Sequence, residues 1–339
     1  MAKLFKVLVI SFFPIFIVNL YSVFSIFILL ITNGIQFFLQ GKGLIITLVS
    51  TQYLKWILLI DFIWIILFLI YLFSRMKYRT ESEKHFLQYD RIDNPRICVV
   101  IPAYNEELSI QQVVDDHLRH KFVKHVIVID NFSSDKTVEL ARQSGAKVIT
   151  KTENRGMAHS IVLGLKEALN TDANVIALTE ADGTHSAYDL DKMLPYLDHC
   201  DVVNGSRRVQ ILTEKGNLRE SAVHIWGNYF FSKLLQLKYL NFIYLGIFNI
   251  SDEGCMLRIF RRKVIEEIHD QLNFPDSDIP IGGIAEIVFL TTKCLDKDFR
   301  IIEVPVTYKK RIGESKVGSD KFLKNLEGGL NILWIILRY

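Results

Sequence analysis

The stretch Asn174-Val175-Ile176-Ala177-Leu178-Thr179-Glu180-Ala181-Asp182-Gly183-Thr184-His185 decides how the rest of this 339-residue chain is read. Its apolar half has the pattern of a strand buried in a parallel sheet, and it stops abruptly at carboxylates followed by glycine. Ligands of open α/β sheets sit beyond the carboxyl ends of the strands. Two acids one residue apart at such an end, where the backbone turns, can both aim at one divalent cation. Hard oxygen donors suit Mg²⁺ or Mn²⁺, ions usually shared with the phosphates of a substrate. An isolated Glu-x-Asp is more often a solvated turn; the neighbouring motifs argue otherwise here.

Upstream, Ile97-Cys98-Val99-Val100-Ile101 reads as a buried strand closing on Pro102-Ala103-Tyr104-Asn105-Glu106-Glu107. A helix from about Ser109 comes next, with Val113, Val114 and Leu118 on one face. Val126 to Asp130 is the next strand, and Ser134 or Asp135 can cap the helix after it. Ala146 to Ile149 is a third strand, and Asn154-Arg155-Gly156 opens a helix carrying Ile161, Leu165 and Ala168. Strands alternating with helices specify an α/β fold with a mostly parallel sheet. Three strand ends carry polar clusters, at Tyr104-Asn105-Glu106, Asp130-Asn131 and Glu180-x-Asp182, and these should gather on one edge. No G-x-G-x-x-G follows the first strand and no G-x-x-x-x-G-K-[ST] occurs, which disfavours a Rossmann dehydrogenase and a P-loop NTPase.

The N-terminus has a different character. No charged residue occurs from Val7 to Gly41, and Leu8 to Ile31 exceeds the roughly 20 apolar residues that cross a bilayer. Pro14 and Asn19 within it should kink the helix or meet a neighbour. A second apolar run covers Trp56 to Phe73, so residues 1–75 form a two-helix transmembrane hairpin with spans of about 7–31 and 56–73. Lys3 and Lys6 precede the first span, and Arg75, Lys77 and Arg79 follow the second. The positive-inside rule then makes this an integral membrane protein whose catalytic domain is cytoplasmic, behind a juxtamembrane linker at 76–95. Asp61, near the outer end of the second span, is expected to snorkel toward the interface. Residues 217–240 form an aromatic-rich interfacial helix, and 321–339 an amphipathic segment on the membrane surface. The net charge is only +3, so nucleic acid is not an expected partner. Cys98, Cys200, Cys255 and Cys294 lack metal or disulfide spacing and read as core residues in a reducing compartment. A homo-oligomer is left open.

V-V-I-P-A-Y-N-E-E, V-I-V-I-D-N-F-S-S-D-K-T, N-R-G-M-A and E-A-D-G-T-H, in this order, resemble a family 2 glycosyltransferase of the GT-A (nucleotide-diphospho-sugar transferase) fold. More narrowly, they are similar to the polyprenyl-phosphate sugar synthases, such as the dolichyl-phosphate mannose and glucose synthases, over residues 96 to about 320. The resemblance implies that Pro102, Tyr104 and Glu106 line the base and ribose pocket, that Asp130 contacts the base, and that Arg155 and Gly156 flank it. It implies Asp182 as the main metal ligand, with Glu180 where the family usually has Asp, His185 as the motif histidine, and Thr184 where Gln is common. Arg207 matches a family arginine near the phosphates, and Arg258 is expected to bind phosphate. Arg311 and Lys316 lie in a segment similar to the family's cationic lid. Glu286, a lone acid in an apolar run, matches an acid near the acceptor and needs a cationic partner or a site role.

In the reaction these residues lead one to expect, Mg²⁺ or Mn²⁺ on Asp182 and Glu180 holds the diphosphate of a UDP- or GDP-sugar. A polyprenyl or dolichyl phosphate steered by Arg207, Arg258, Arg311 and Lys316 attacks with inversion. With a second phosphate pKa of about 6 the acceptor needs no strong base, and Glu286 orients groups. The alternatives are another lipid or glycan acceptor, or a membrane protein that binds a nucleotide-sugar without turnover. A processive polysaccharide synthase is disfavoured, since Q-x-x-R-W is missing.

Overall fold

The computed structural model describes residues 2–40, 52–74, 90–209, 222–240, 249–272, 283–313 and 322–339. The chain divides into two compact units, one built mainly from residues 1–80 and one from most of the remainder.

The first unit is a pair of helices, α1 (Ala2–Gln40) and α2 (Gln52–Ser74). Both are long and apolar enough to cross a membrane, over Lys3–Ser25 and Lys55–Leu72, which makes them candidate spans. They run antiparallel, with the Phe5 and Tyr71 rings 5.3 Å apart and those of Phe12 and Trp64 5.7 Å apart. Trp64 Nε1 donates to Leu8 O and Ser11 Oγ, each at 3.2 Å. Asn19 does meet a neighbour: its Nδ2 donates to Asp61 Oδ1 at 2.8 Å. Asp61, expected to reach for the interface, is thus bonded across the hairpin, because an amide partner costs less than an unpaired carboxylate. Outward-facing Ile10, Phe16, Leu20, Phe24, Leu58 and Phe62 are exposed, as lipid-facing side chains would be.

The second unit is built on seven strands: β1 (Ile97–Ala103), β2 (Val123–Asp130), β3 (Lys147–Thr150), β4 (Val175–Leu178), β5 (Val202–Ser206), β6 (Arg258–Arg261) and β7 (Ile301–Pro305). Their order in the sheet is β3-β2-β1-β4-β6-β5-β7. All pairs are parallel except those of β6, which is antiparallel to both β4 and β5. The helices between and after the strands are α3 (Ile110–Leu118), α4 (Thr137–Gln143), α5 (Gly156–Ala168), α6 (Tyr188–Met193), α7 (Ala222–Lys238), α8 (Arg262–Ile268), α9 (Gly283–Asp296) and α10 (Phe322–Arg338). Every residue of β1 and β4 is buried, as continuous apolar runs in a parallel sheet require.

β6 escaped the sequence reading because arginines stand at both its ends. Arg258 is buried and neutralised by Glu253, while Arg261 turns inward to the carbonyls of Leu197 and Cys200. The next helix starts directly after the strand, at Arg262, with Arg261 as its N-cap. Within the expected range 217–240 a helix runs over Ala222–Lys238; its Trp226 is 69% exposed and Phe230 is exposed, while Leu234 and Leu235 are core. The C-terminal segment is amphipathic, with Leu326 and Leu330 exposed and Ile332, Ile335 and Ile336 buried.

α5 lies so close to the sheet that a Cβ on Gly164 would stand 2.3 Å from Val100 Cγ1 and 3.1 Å from Ile129 Cγ1. Gly164→Ala should therefore destabilise the protein by about 1–3 kcal/mol despite alanine's better helix propensity. Thermal unfolding in detergent measures it; an unchanged midpoint would show that helix and sheet separate without cost.

Candidate active site

The carboxyl ends of β1 and β2 are stitched together before any ligand arrives. Ala103 pairs with Asp130, and Asn131 N donates to Ala103 O at 2.8 Å. Asn105, at φ +52°, receives Ser134 N on Oδ1 at 2.8 Å, and Glu106 N donates to Thr137 Oγ1 at 2.7 Å. Asp130 is fully buried and takes Ser133 N on both oxygens at 3.3 Å. Pro102 is buried below, and Tyr104 and Phe132 stand exposed at the rim. From the next loop, Arg155 N donates to Asn131 Oδ1 at 3.1 Å, and Gly156 turns at φ +80°. Lys151, unnoticed in the sequence, donates from Nζ to Gly156 O at 3.1 Å. Burial, with the Arg155 charge beside it, pushes the Lys151 amine down to about 8 against the pull of Asp130.

Beyond β4 the chain turns through Gly183 at φ +78°, and the side chains of Glu180, Asp182 and Thr184 converge. Thr184 Oγ1 lies 2.9 Å from Glu180 Oε2 and 2.6 Å from Asp182 Oδ1, and Thr184 N donates to that same Oδ1 at 3.0 Å. One hydroxyl proton thus faces two carboxylates. Burial, then the charge of Asp182, pushes the Glu180 carboxyl up to about 7. His185 is buried with its ring edge-on to Tyr308 at 5.6 Å and Nε2 3.7 Å from Glu180 Oε2. Neither ring nitrogen has a hydrogen-bond partner among the described residues. Burial and the Arg207 charge push the imidazole down to about 4, so it is neutral at ordinary pH.

The segment after β7 straps these ends together. Thr307 N donates to Asp189 Oδ2 at 3.1 Å, Lys309 N to Thr184 O at 2.8 Å, and Ile312 N to Asp182 O at 2.9 Å. Arg311 then reaches Asp182 Oδ2 with Nη1 at 2.9 Å and Glu106 Oε1 with Nη2. A single guanidinium joins the ends of β1 and β4, as expected of clusters gathering on one edge.

The other expected residues fall differently. Arg207 stands near Glu180 and His185 but is held by Asp252, with Nε and Nη2 each at 2.8 Å from its carboxylate oxygens. Arg258 is fully buried; Nε, Nη1 and Nη2 donate to Cys255 O, Thr291 Oγ1, Glu253 O and Glu253 Oε1. These bonds give it a structural engagement in place of the expected phosphate contact. Glu286 is fully buried on α9, and among the described residues it has no hydrogen-bond partner on either oxygen and no cationic neighbour. Lys316 lies outside the described residues.

For a divalent cation, the donor set is chemically apt. No group of three or more His, Cys, Asp or Glu suited to a metal occurs among the described residues. Two carboxylates and a hydroxyl are nonetheless the kind of oxygen ligands that fit an ion which keeps waters and phosphates in its remaining positions. The proton-short contact among Glu180, Asp182 and Thr184 is relieved by a cation as well as by a proton.

Residues 98–269 match the model of glycosyl transferase family 2, and the chain belongs to that family. The protein is a glycosyltransferase, and its curated relatives include polyprenyl- and dolichyl-phosphate sugar transferases. It is 29% identical over 231 residues to the polyprenol monophosphomannose synthase of Mycolicibacterium smegmatis, covering 66% of this chain and 81% of that protein. It is 28% identical over 242 residues to the dolichyl-phosphate hexose transferase of Haloferax volcanii, covering 71% and 94%. Among solved structures, glucosyl-3-phosphoglycerate synthase of Mycobacterium tuberculosis shares the fold, with a TM-score of 0.51 at 16% identity over 77% of this chain and 84% of that one. The same enzyme crystallised with Mn²⁺, UDP-glucose and glycerol 3-phosphate gives a TM-score of 0.50 at 17% identity, covering 72% and 79%.

Burial raises the proton affinity of Glu286 well above the usual carboxyl range. A raised folded value means that its contribution to stability is present at low pH and lost as pH rises. Glu286→Gln carries no such loss. Its melting temperature relative to wild type should therefore climb as pH rises from about 5 into the alkaline range. A constant offset in calorimetry across that range would show that Glu286 is ionised in the fold.

Proposed function

We propose that the protein is a membrane-bound inverting glycosyltransferase that moves a sugar from a UDP- or GDP-sugar to a polyprenyl or dolichyl phosphate. The reading includes a catalytic domain over residues 96–320 on the cytoplasmic face, anchored by the hairpin of residues 1–75. It is best supported by the Arg311 guanidinium that joins Glu106 and Asp182, because it gathers the nucleotide and phosphate ends of the sheet into one site. The two relatives named above, whose names specify polyprenol and dolichyl-phosphate chemistry, favour the acceptor class.

In this reading Asp130 accepts from the base, Tyr104 and Pro102 line the pocket, and the loop at Arg155 and Gly156 flanks it. Asp182, with Glu180 and Thr184 beside it, would hold Mg²⁺ or Mn²⁺. Such an ion, when bound, supplies Lewis-acid stabilisation of the leaving diphosphate. Arg207 and Arg311 orient phosphoryl oxygens by charge-assisted hydrogen bonds. A phosphate monoester with a second pKa of about 6 is already largely a dianion at neutral pH. No residue need take a proton from it, which fits a Glu286 whose surroundings are apolar and hold no cation among the described residues. A single displacement inverts the anomeric carbon.

Full-length protein in detergent, given a short polyprenyl phosphate, Mg²⁺ or Mn²⁺ and a panel of radiolabelled UDP- and GDP-sugars, should carry one sugar into the organic phase. Asp182→Asn should reduce that transfer by about a hundredfold or more. Nucleotide binding without transfer from any donor would sink this acceptor and favour another lipid or glycan.

Arg311 occupies an oxygen of Asp182 that the cation would use. Arg311→Gln should therefore tighten Mn²⁺ binding to the nucleotide-free protein by about tenfold, the equivalent of one competing charge-assisted bond, while slowing transfer. Electron paramagnetic resonance of free Mn²⁺ reads the first effect, and equal affinity in both proteins would mean that arginine and metal do not compete.

A further inference from the structure

The apolar hairpin carries hydrogen-bonding capacity at Asn19 and Asp61 that a single copy does not use. Asn19 Nδ2 donates to Asp61 Oδ1 at 2.8 Å, and both side chains are only half-buried. Among the described residues no donor reaches Asp61 Oδ2 or Asn19 Oδ1, and the second hydrogen on Asn19 Nδ2 has no acceptor. The polar side chains nearby differ. Ser11 Oγ donates to Leu8 O at 3.2 Å, Ser22 Oγ donates to Val18 O at 2.7 Å, and Trp64 Nε1 is held by Leu8 O and Ser11 Oγ.

Depth decides what can complete the pair. Asn19 lies before the Ser25 end of its candidate span and Asp61 after the Lys55 end of the other, each about 9 Å inside at the rise of an α-helix. So short a carboxyl does not reach the headgroups from there, and hydrocarbon offers neither donor nor acceptor. The face around the pair is open and apolar. Phe16 and Val23 stand one turn to either side of Asn19, as Leu58 and Ile65 do of Asp61, and each is at least 50% exposed. Because α1 and α2 run antiparallel, Val23 and Leu58 share one level of this face, and Phe16 and Ile65 the other.

We propose that this face docks a second copy of the chain, with Asn19 of each copy set against the partner subunit's Asp61. The inference rests on the membrane-spanning part of the reading above and adds a partner to it. The pair is self-complementary: a two-fold axis along the membrane normal turns one free donor and one free acceptor into two bonds. Each free Asn19 hydrogen meets a free Asp61 oxygen, and both polar groups leave the lipid. The same axis lays the α1 of one copy on the α2 of the other, so Val23 faces the partner's Leu58 and Phe16 the partner's Ile65.

Two full-length copies with different tags are co-expressed, Val23→Cys in one and Leu58→Cys in the other, and oxidised in intact membranes. A disulfide should join the two tags. Val23→Cys with Ile63→Cys, which lies across α2 from Asp61, should give none; the four native cysteines are buried. In detergent, sedimentation should give a dimer whose dissociation constant rises about tenfold in Asp61→Leu and changes less than about threefold in Asp61→Asn, which keeps a polar partner for Asn19. Asp61→Leu also removes the bond within the hairpin, so Val23→Trp serves as the second variant. It fills the face without touching that bond and should weaken the dimer equally. A monomer at every concentration, a dimer indifferent to both Asp61→Leu and Val23→Trp, or linkage through Ile63→Cys overturns the proposal, and sugar transfer by such a protein leaves the proposed reaction standing. A chain that alkaline carbonate strips from the membrane overturns the hairpin reading and the proposal together. A dimer with these properties that transfers no sugar supports the docking face and defeats the reaction alone.

Discussion

Glu106, Glu180 and Asp182 crowd together beyond β1 and β4, two of them buried, and the fold has to supply positive charge to that point. Arg311 does so directly by bridging Glu106 and Asp182. Like charges brought close in a low dielectric raise one another's proton affinity, and Glu180 shows it. Without a compensating cation the carboxyl edge of the sheet would repel itself. The strap from Thr307 to Ile312 is therefore as much part of the site as the strand ends it covers.

The reversed strand gives this edge a second side. β6 runs antiparallel between β4 and β5, so Asn204 of β5 and Leu178 of β4 both pair with Arg258. β5 thereby delivers Ser206 and Arg207 to the same edge as the acid pair, and β7, parallel to β5, delivers the strap.

The alternation of apolar strands with amphipathic helices was legible from residues 97 to 182, and so were the three polar strand ends, because burial on both faces leaves an unbroken apolar signature. β6 was not legible. Its two arginines look like surface residues until Glu253, Thr291 and two backbone carbonyls are seen around them. Arg258 misled for the same reason, since a motif arginine reads alike whether it meets phosphate or a buried glutamate. Lys151 gave no signal of its own, as nothing local distinguishes a buried charge from a solvated one.

The sequence by itself determined the apolar N-terminal helices, the parallel half of the sheet and the carboxylates at its edge, since each is written in residues close together in the chain. Only the tertiary structure decided which charges meet: Arg311 with Glu106 and Asp182, Arg207 with Asp252, Arg258 with Glu253, Asn19 with Asp61. The Asn19 and Arg207 pairings span 42 and 45 positions, and Arg311 reaches back 129 to Asp182 and 205 to Glu106. Coulomb attraction and desolvation act through space, so the partner of a buried charge is fixed by the packing of distant strands and helices.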